Sequence, residues 1–386
     1  MSYSRAFWWA TVLNLLCLSG SNMFVLFPGY LAHRGLTRWE IGLVEGVFWV
    51  GAVASQPWLA SRLDRHGRRP YFVCGAAGMG VAALAFLLTP VSLVPMALLR
   101  CLHGFVIASY FTAMFAWVAD QAPAGRTAQA FGYYGISGLL AAAVGPLVGE
   151  ALVHGPGYGA LFSASAACSL VSAALMAGLR EIPRERHERT PEGFFRLARS
   201  RTILGVSAGC LGFGYAVGCL FAFAAPYLAE HGVRGTGLLF ACYVASSVAV
   251  RLALGATVDR VGGARVIPAA MLVQAAGMGV FAALGSWETP VVVITGLVAG
   301  AGHGVLYPAL SSLAVDRLGP SVRGTALALI TAWIDLGSVL GAALPGVIAH
   351  HIGYPAMFLW LSVSVALVGL GFAPLDRRSA TSPSGV

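Results

Sequence analysis

"ASRLDRHGRRPYF", Ala60 to Phe72, places four arginines, a histidine and an aspartate between two long apolar runs. "GATVDRVGGARVI", Gly255 to Ile267, repeats much of it 195 positions later. The chain around these islands has 386 residues, 58% hydrophobic and only 10% charged, with a mean hydropathy of +0.78. Soluble domains carry about 25% charge, so a water-facing surface of the usual kind cannot be assembled. Runs of roughly 20 apolar residues cross a hydrocarbon layer of about 30 Å. Charge is therefore expected where the chain leaves lipid.

Such runs fall near 7–31, 41–61, 71–90, 94–118, 128–153 and 158–179, and again near 202–229, 236–257, 266–286, 290–315, 323–349 and 355–374. Between the two sets lies the charged stretch "REIPRERHERTPEGFFRLARSR". The pattern predicts an all-α membrane protein of twelve transmembrane helices. The first run has no A-x-A-like cleavage site and reads as a spanning helix, not a removable signal.

Orientation follows from the arginines, because the chain contains no lysine. With the N-terminus inside, nineteen arginines fall in cytoplasmic segments, while Arg34, Arg38 and Arg234 lie outside. The positive-inside rule then puts both termini in the cytoplasm of a cell whose inner (plasma) membrane holds the protein as a multi-pass chain. The same clustering explains the net charge of +9 without a nucleic-acid partner. The seven cysteines sit almost entirely within apolar runs and lack ligand spacing, so they read as small buried residues. No metal or cofactor is expected.

The halves repeat. "PGYLAHRG" from Pro28 answers to "PYLAEHG" from Pro226, and Asp64, Arg65 and Gly67 answer to Asp259, Arg260 and Gly262. Asp120 and Arg126 answer to Asp316 and Arg323. A near-constant offset implies duplication. The expected organisation is a six-helix lobe over 1–180, a cytoplasmic linker over 181–201, a second six-helix lobe over 202–374 and a cytoplasmic tail over 375–386.

With these residues in view, the chain resembles the major facilitator superfamily (MFS) of secondary transporters, and its layout is most like the smaller bacterial drug or metabolite efflux branch. The family's G-x-x-x-D-R-x-G-R-R signature stands as Ala60 to Arg69, with alanine for the first glycine, and a second copy runs Gly255 to Arg265. Arg100, Gly104 and Ala108 match the fourth-span pattern R-x-x-x-G-x-x-x-A, with His103 where many members have glutamine. The resemblance implies two pseudo-symmetric lobes that rock about a central cavity. Asp64, at the end of span two, suits the positive end of a facing helix, which the resemblance places on span eleven. Arg65, Arg68 and Arg69 can pair with Asp64, Asp120 and lipid phosphates, and Gly67 can turn with positive φ. The loop thus reads as a cytoplasmic latch, with Asp259, Arg260, Gly262 and Arg265 as its second copy. A plain positive-inside anchor is the competing reading. In span five, "GLLAAAVGPLVGEAL" resembles the glycine-proline motif of proton-driven exporters through Gly138, Gly145, Pro146 and Gly149, although Glu150 replaces a glycine. Small residues allow close helix approach and Pro146 a bend. Ordinary helix packing would use the same residues.

Ionisable residues inside spans cost about 2.5–3.5 kcal/mol each on insertion scales and therefore mark candidate sites. Asp335 is twelve residues past Arg323, about 18 Å deep, and is the prime proton-binding carboxylate. The resemblance implies a coupling role for Arg100, one turn from His103. His303, between glycines, could touch solute or carry a proton. Structural pairing is the competing reading for each. Glu45 lies about one turn from the outer surface, where a solvated or lipid-interface role is favoured, and Arg251 can snorkel inward. Cavity candidates from spans one, four, seven and ten are Asn22, Tyr110, Phe111, Tyr215, Phe221 and Tyr307. An apolar, aromatic cavity with few fixed charges suits an amphipathic organic solute.

A P-loop requires lysine, which excludes an ATP-driven pump, and no hydrolase motif is present, so no enzyme is expected. The leading expectation is a monomeric exporter that exchanges protons for a small organic solute, in contact with membrane lipid. A proton-coupled importer of a metabolite would share the architecture. A sensor would be expected to carry an added domain, for which the linker and tail leave no room.

Overall fold

The computed structural model describes residues 3–122, 127–180, 196–285, 287–318 and 323–380, apart from the side chains at 57, 58, 60, 61, 64, 65, 127–129, 255–259, 323–325 and 377–380. Backbone groups that meet hydrocarbon must bond within their own segment. Accordingly, every regular element among the described residues is helical. The first crossing is built from α1 (Arg5–Asn22), a 3-10 turn (Met23–Leu26) and α2 (Phe27–His33). Then come α3 (Arg38–His66), α4 (Arg69–Leu88), α5 (Leu93–Gln121), α6 (Thr127–His154) and α7 (Tyr158–Met176). After the linker follow α8 (Leu204–Glu230), α9 (Thr236–Val261), α10 (Gly263–Phe281), α11 (Glu288–Leu318) and α12 (Arg323–Ala380). The last of these is two helices joined at Gly353, whose φ of 84° breaks the helical path. With that break the described residues hold twelve helical stretches of crossing length, and among them ten apolar segments satisfy both length and hydropathy for a membrane span.

Local chemistry sets the helix ends. Ser4 caps α1 by accepting from the Phe7 amide at 3.1 Å. Glu40 reaches back over the start of α3, where its carboxylate accepts from the Thr37 amide at 2.8 Å and hydroxyl at 2.6 Å and so satisfies one orphan amide of the first turn. Proline in the first turn starts α2 and α4.

The chain folds as two compact units, residues 1–36 with 47–189, and residues 37–46 with 190–386. Glycines in the left-handed region recur between them at near-constant spacing: Gly35 and Gly232 (φ 90° and 67°), Gly67 and Gly262 (87° and 86°), Gly157 and Gly353 (98° and 84°). Each marks a turn where a Cβ would be strained. In unit 1, α1 packs on α6 and α7, and α4 on α5 and α7, around Phe7, Phe72, Tyr110, Met114, Trp117 and Met176. In unit 2, α8 packs along α12, and α11 along α9 and α10. The start of α3 belongs to unit 2. There Arg38 pairs with Glu230 at 2.8 Å, donates to the Ala349 carbonyl at 2.9 Å and lies over the Tyr354 ring at 4.6 Å. Glu45, on the same segment, is only 5% exposed, which corrects the solvated position expected for it. Leucines such as Leu88, Leu252 and Leu367 stand 87%, 80% and 62% exposed, as lipid-facing side chains do.

Candidate latch, coupling and cavity residues

The loop after α3 is shaped by Gly67, and the residues that follow it engage neighbouring helices. Arg68 is buried with its Nε 3.8 Å from Asp120 Oδ2 at the end of α5. Arg69 donates to the Ala177 carbonyl just past α7. The start of α4 is thus tied to the ends of α5 and α7 at one end of unit 1. The side chains of Asp64, Arg65 and Asp259 lie outside the described residues. In the second copy, Gly262 takes the same turn and its carbonyl accepts from the Arg265 amide at 3.1 Å, while Arg260 and Arg265 are exposed. The tie in unit 2 comes from elsewhere: Arg317, ending α11, pairs with Asp376 on α12 at 2.7 Å.

Arg100, on α5, is 4% exposed and His103 1%. Its guanidinium lies over Phe48 at 4.4 Å, Phe27 at 5.0 Å and Phe24 at 5.3 Å, so three ring faces share the charge. Its Nη1 stands 2.9 Å from His103 Nδ1. A guanidinium can only donate, so Nδ1 accepts and the imidazole is neutral, with its proton on Nε2. The His103 ring is held edge-on to Phe24 at 4.6 Å and Phe48 at 5.7 Å. Sequence spacing places Arg100 and His103 together. The cage from α2, α3 and the 3-10 turn has no local signature.

Tyr110 is 0% exposed and does not line a cavity, which corrects its assignment there. Its hydroxyl donates to Asn14 Oδ1 at 2.7 Å, Tyr134 donates to the same oxygen at 2.7 Å, and Asn14 Nδ2 donates to Ser137 at 2.7 Å. Asn14 therefore joins α1, α5 and α6 inside unit 1. It escaped the sequence reading because one buried asparagine carries no periodic signal. Asn22 is half-buried and donates to the Leu18 carbonyl at 2.8 Å. Its Cβ is 2.7 Å from where a Cβ on Gly145 would sit, and Gly149 faces Leu26 at 2.8 Å on the same measure. These two glycines bring α6, with Pro146 inside it, against the first crossing. Phe111 is 44% exposed.

In unit 2, His303 on α11 shares a hydrogen bond of 2.7 Å with the hydroxyl of Tyr243 on α9 and packs on Phe213 at 4.9 Å. One turn on, Tyr307 is 42% exposed and lies beside Thr331, in the field of both Arg251 and Asp335. Thr331 and Asp335 are one turn apart on α12. Three helices, α9, α11 and α12, thus bring His303, Tyr307, Asp335 and Arg251 to one region. Arg251 does not snorkel to the surface, as expected above, because its Nε donates to the mid-helix carbonyl of Gly304 at 3.4 Å. Phe221 is half-buried against Phe240 at 4.8 Å, and Tyr215 is half-buried. Tyr243 was missed because its partner is 60 residues away.

Comparison with known proteins agrees with this architecture. The sequence profile of the Major Facilitator Superfamily matches residues 8–235 and 204–386. An uncharacterized MFS-type transporter of Salmonella typhimurium (strain LT2) is 26% identical over 367 residues, covering 92% of each chain. One from Burkholderia pseudomallei (strain 1106a) is 26% identical over 378 residues, covering 93% of this chain and 89% of its own. Among solved structures, a bacterial homologue of the human lysosomal transporter Spinster superposes with a TM-score of 0.80 at 16% identity over 99% of both chains. The nucleoside transporter NupG does so with a TM-score of 0.80 at 13% identity, over 96% of this chain and 99% of its own.

Proposed function

Because the chain belongs to the Major Facilitator Superfamily, a family of membrane transporters of small solutes, we propose that it exports a small amphipathic organic solute in exchange for protons. The observation that carries this reading is Asp335. It sits about 18 Å from the start of α12 beside an accessible phenol, with no ion pair among the described residues. A carboxylate at that depth can collect a proton from one solution and release it to the other, since proton relays in transporters use such groups. Arg100 and His103 form the second intramembrane polar group and serve the coupling. Asn22, Phe111, Tyr215, Phe221 and Tyr307 line the solute path. Arg68 with Asp120, together with Asp64, Arg65, Arg69 and the second loop copy, forms the latch on the cytoplasmic side. The close packing of Gly145 and Gly149 on the first crossing supports export. One proton falling through 100 mV supplies about 2.3 kcal/mol, and one pH unit about 1.4. Together they sustain a gradient of several hundred-fold. The chain works as a monomer in the inner membrane with both termini cytoplasmic.

The test uses everted vesicles carrying an imposed pH gradient and a panel of organic solutes. Adding a transported solute should dissipate the gradient, and Asp335→Asn should abolish the response. Dissipation that survives in Asp335→Asn removes this carboxylate from coupling, and solute movement only in the uptake direction makes the protein an importer.

A further inference from the structure

Helices α9 and α11 run side by side along a ladder. Leu239, Tyr243 and Ser247 face Gly296, Gly300 and Gly304, each pair 57 positions apart, and a Cβ on Gly304 would stand 2.5 Å from the Ser247 carbonyl oxygen. Ser247 reinforces the contact by donating to the Gly300 carbonyl at 2.8 Å. The next rung sets Arg251 opposite Pro308. Proline has no amide hydrogen, so the Gly304 carbonyl, four residues earlier, loses its helical donor. Arg251 Nε donates to that carbonyl at 3.4 Å. The bond holds the guanidinium about 15 Å from the cytoplasmic end of α9, well short of the surface.

One N–H is thereby used. No acceptor for the four Nη hydrogens is present among the described residues, and Arg251 forms no ion pair there, with Asp335 or any other carboxylate. Tyr307, 42% exposed, presents its hydroxyl in the field of the same guanidinium. A cation at membrane depth with its planar fork unfilled calls for an anion of matching geometry, and a phenol beside it adds a donor. We propose that Arg251 and Tyr307 form a carboxylate-recognising site on unit 2, so that the solute is an organic monocarboxylate with an apolar body. The inference rests on the transport reading and gives it a substrate class. The site is anchored by the carbonyl that Pro308 frees.

Binding is read without any gradient, on the purified full chain in detergent, by the thermal shift of tryptophan fluorescence. Phenylacetate, 4-phenylbutyrate and octanoate are each compared with the amide of the same body. At least one acid should raise the melting temperature where its amide does not. Arg251→Gln should erase that preference and weaken acid binding about tenfold or more. Arg251→Lys should keep part of it, and Tyr307→Phe should weaken it severalfold. Equal shifts by every acid and its amide overturn the proposal in the wild-type chain alone, as does an acid preference that persists in Arg251→Gln. If Arg251→Gln does not fold, full acid affinity in both Arg251→Lys and Tyr307→Phe overturns it. Loss of proton-coupled flux with the acid preference intact would instead remove the export reading and leave this site standing.

Discussion

The Arg100 cage allows a prediction with a worked magnitude. Phe48 supplies the nearest ring face, at 4.4 Å, against 5.0 and 5.3 Å for Phe27 and Phe24. A desolvated cation–π contact is worth about 2 kcal/mol at its best geometry, so Phe48 should contribute about 1–2 kcal/mol. Phe48→Leu also loses some apolar burial, and a control must subtract that loss. Phe86 provides one: it is 0% exposed and packs on Phe27 at 4.7 Å and Phe24 at 5.3 Å, without lying under the guanidinium. Double-mutant cycles of Phe48→Leu and Phe86→Leu with Arg100→Met, followed by tryptophan fluorescence during SDS unfolding, isolate the pairwise energies. The expected coupling is about 1–2 kcal/mol for Phe48 and below about 0.5 kcal/mol for Phe86. Equal couplings for the two phenylalanines would refute the reasoning, because the ring face would then be acting only as apolar volume.

Asn14→Leu removes the acceptor shared by two buried phenols, so it should destabilise unit 1 by several times the cost of Tyr134→Phe, about 1 kcal/mol; similar losses in SDS unfolding would contradict the hub. Asp120→Asn leaves the buried Arg68 guanidinium facing a neutral amide and should slow turnover severalfold while membrane insertion, read by protease protection, is unchanged; wild-type turnover would separate the pair from the latch. Gly300→Leu would force α9 and α11 apart at the Tyr243 backbone, and should abolish the 2.7 Å Tyr243–His303 bond and melt unit 2 earlier; an unchanged melting curve would show that the ladder yields without cost.

The legibility of this protein divides by range. Apolar runs, arginine placement and the repeated Asp-Arg-Gly islands were readable because lipid solvation and chain duplication act on every residue of a segment and leave a periodic trace. Gly67 and Gly262 were readable for a related reason: a left-handed turn excludes side chains at one position. The tertiary structure alone decided where isolated polar groups point. Tyr110 was assigned to a cavity from its span and proved to be buried on Asn14. Glu45 was placed near solvent by counting turns and proved to be enclosed. Arg251 was expected to reach the surface and is instead held by a carbonyl that Pro308, on another helix, leaves open. Position along a helix gives depth, but azimuth and partner depend on how helices pack, and packing is settled by groups that are tens of residues apart in the chain.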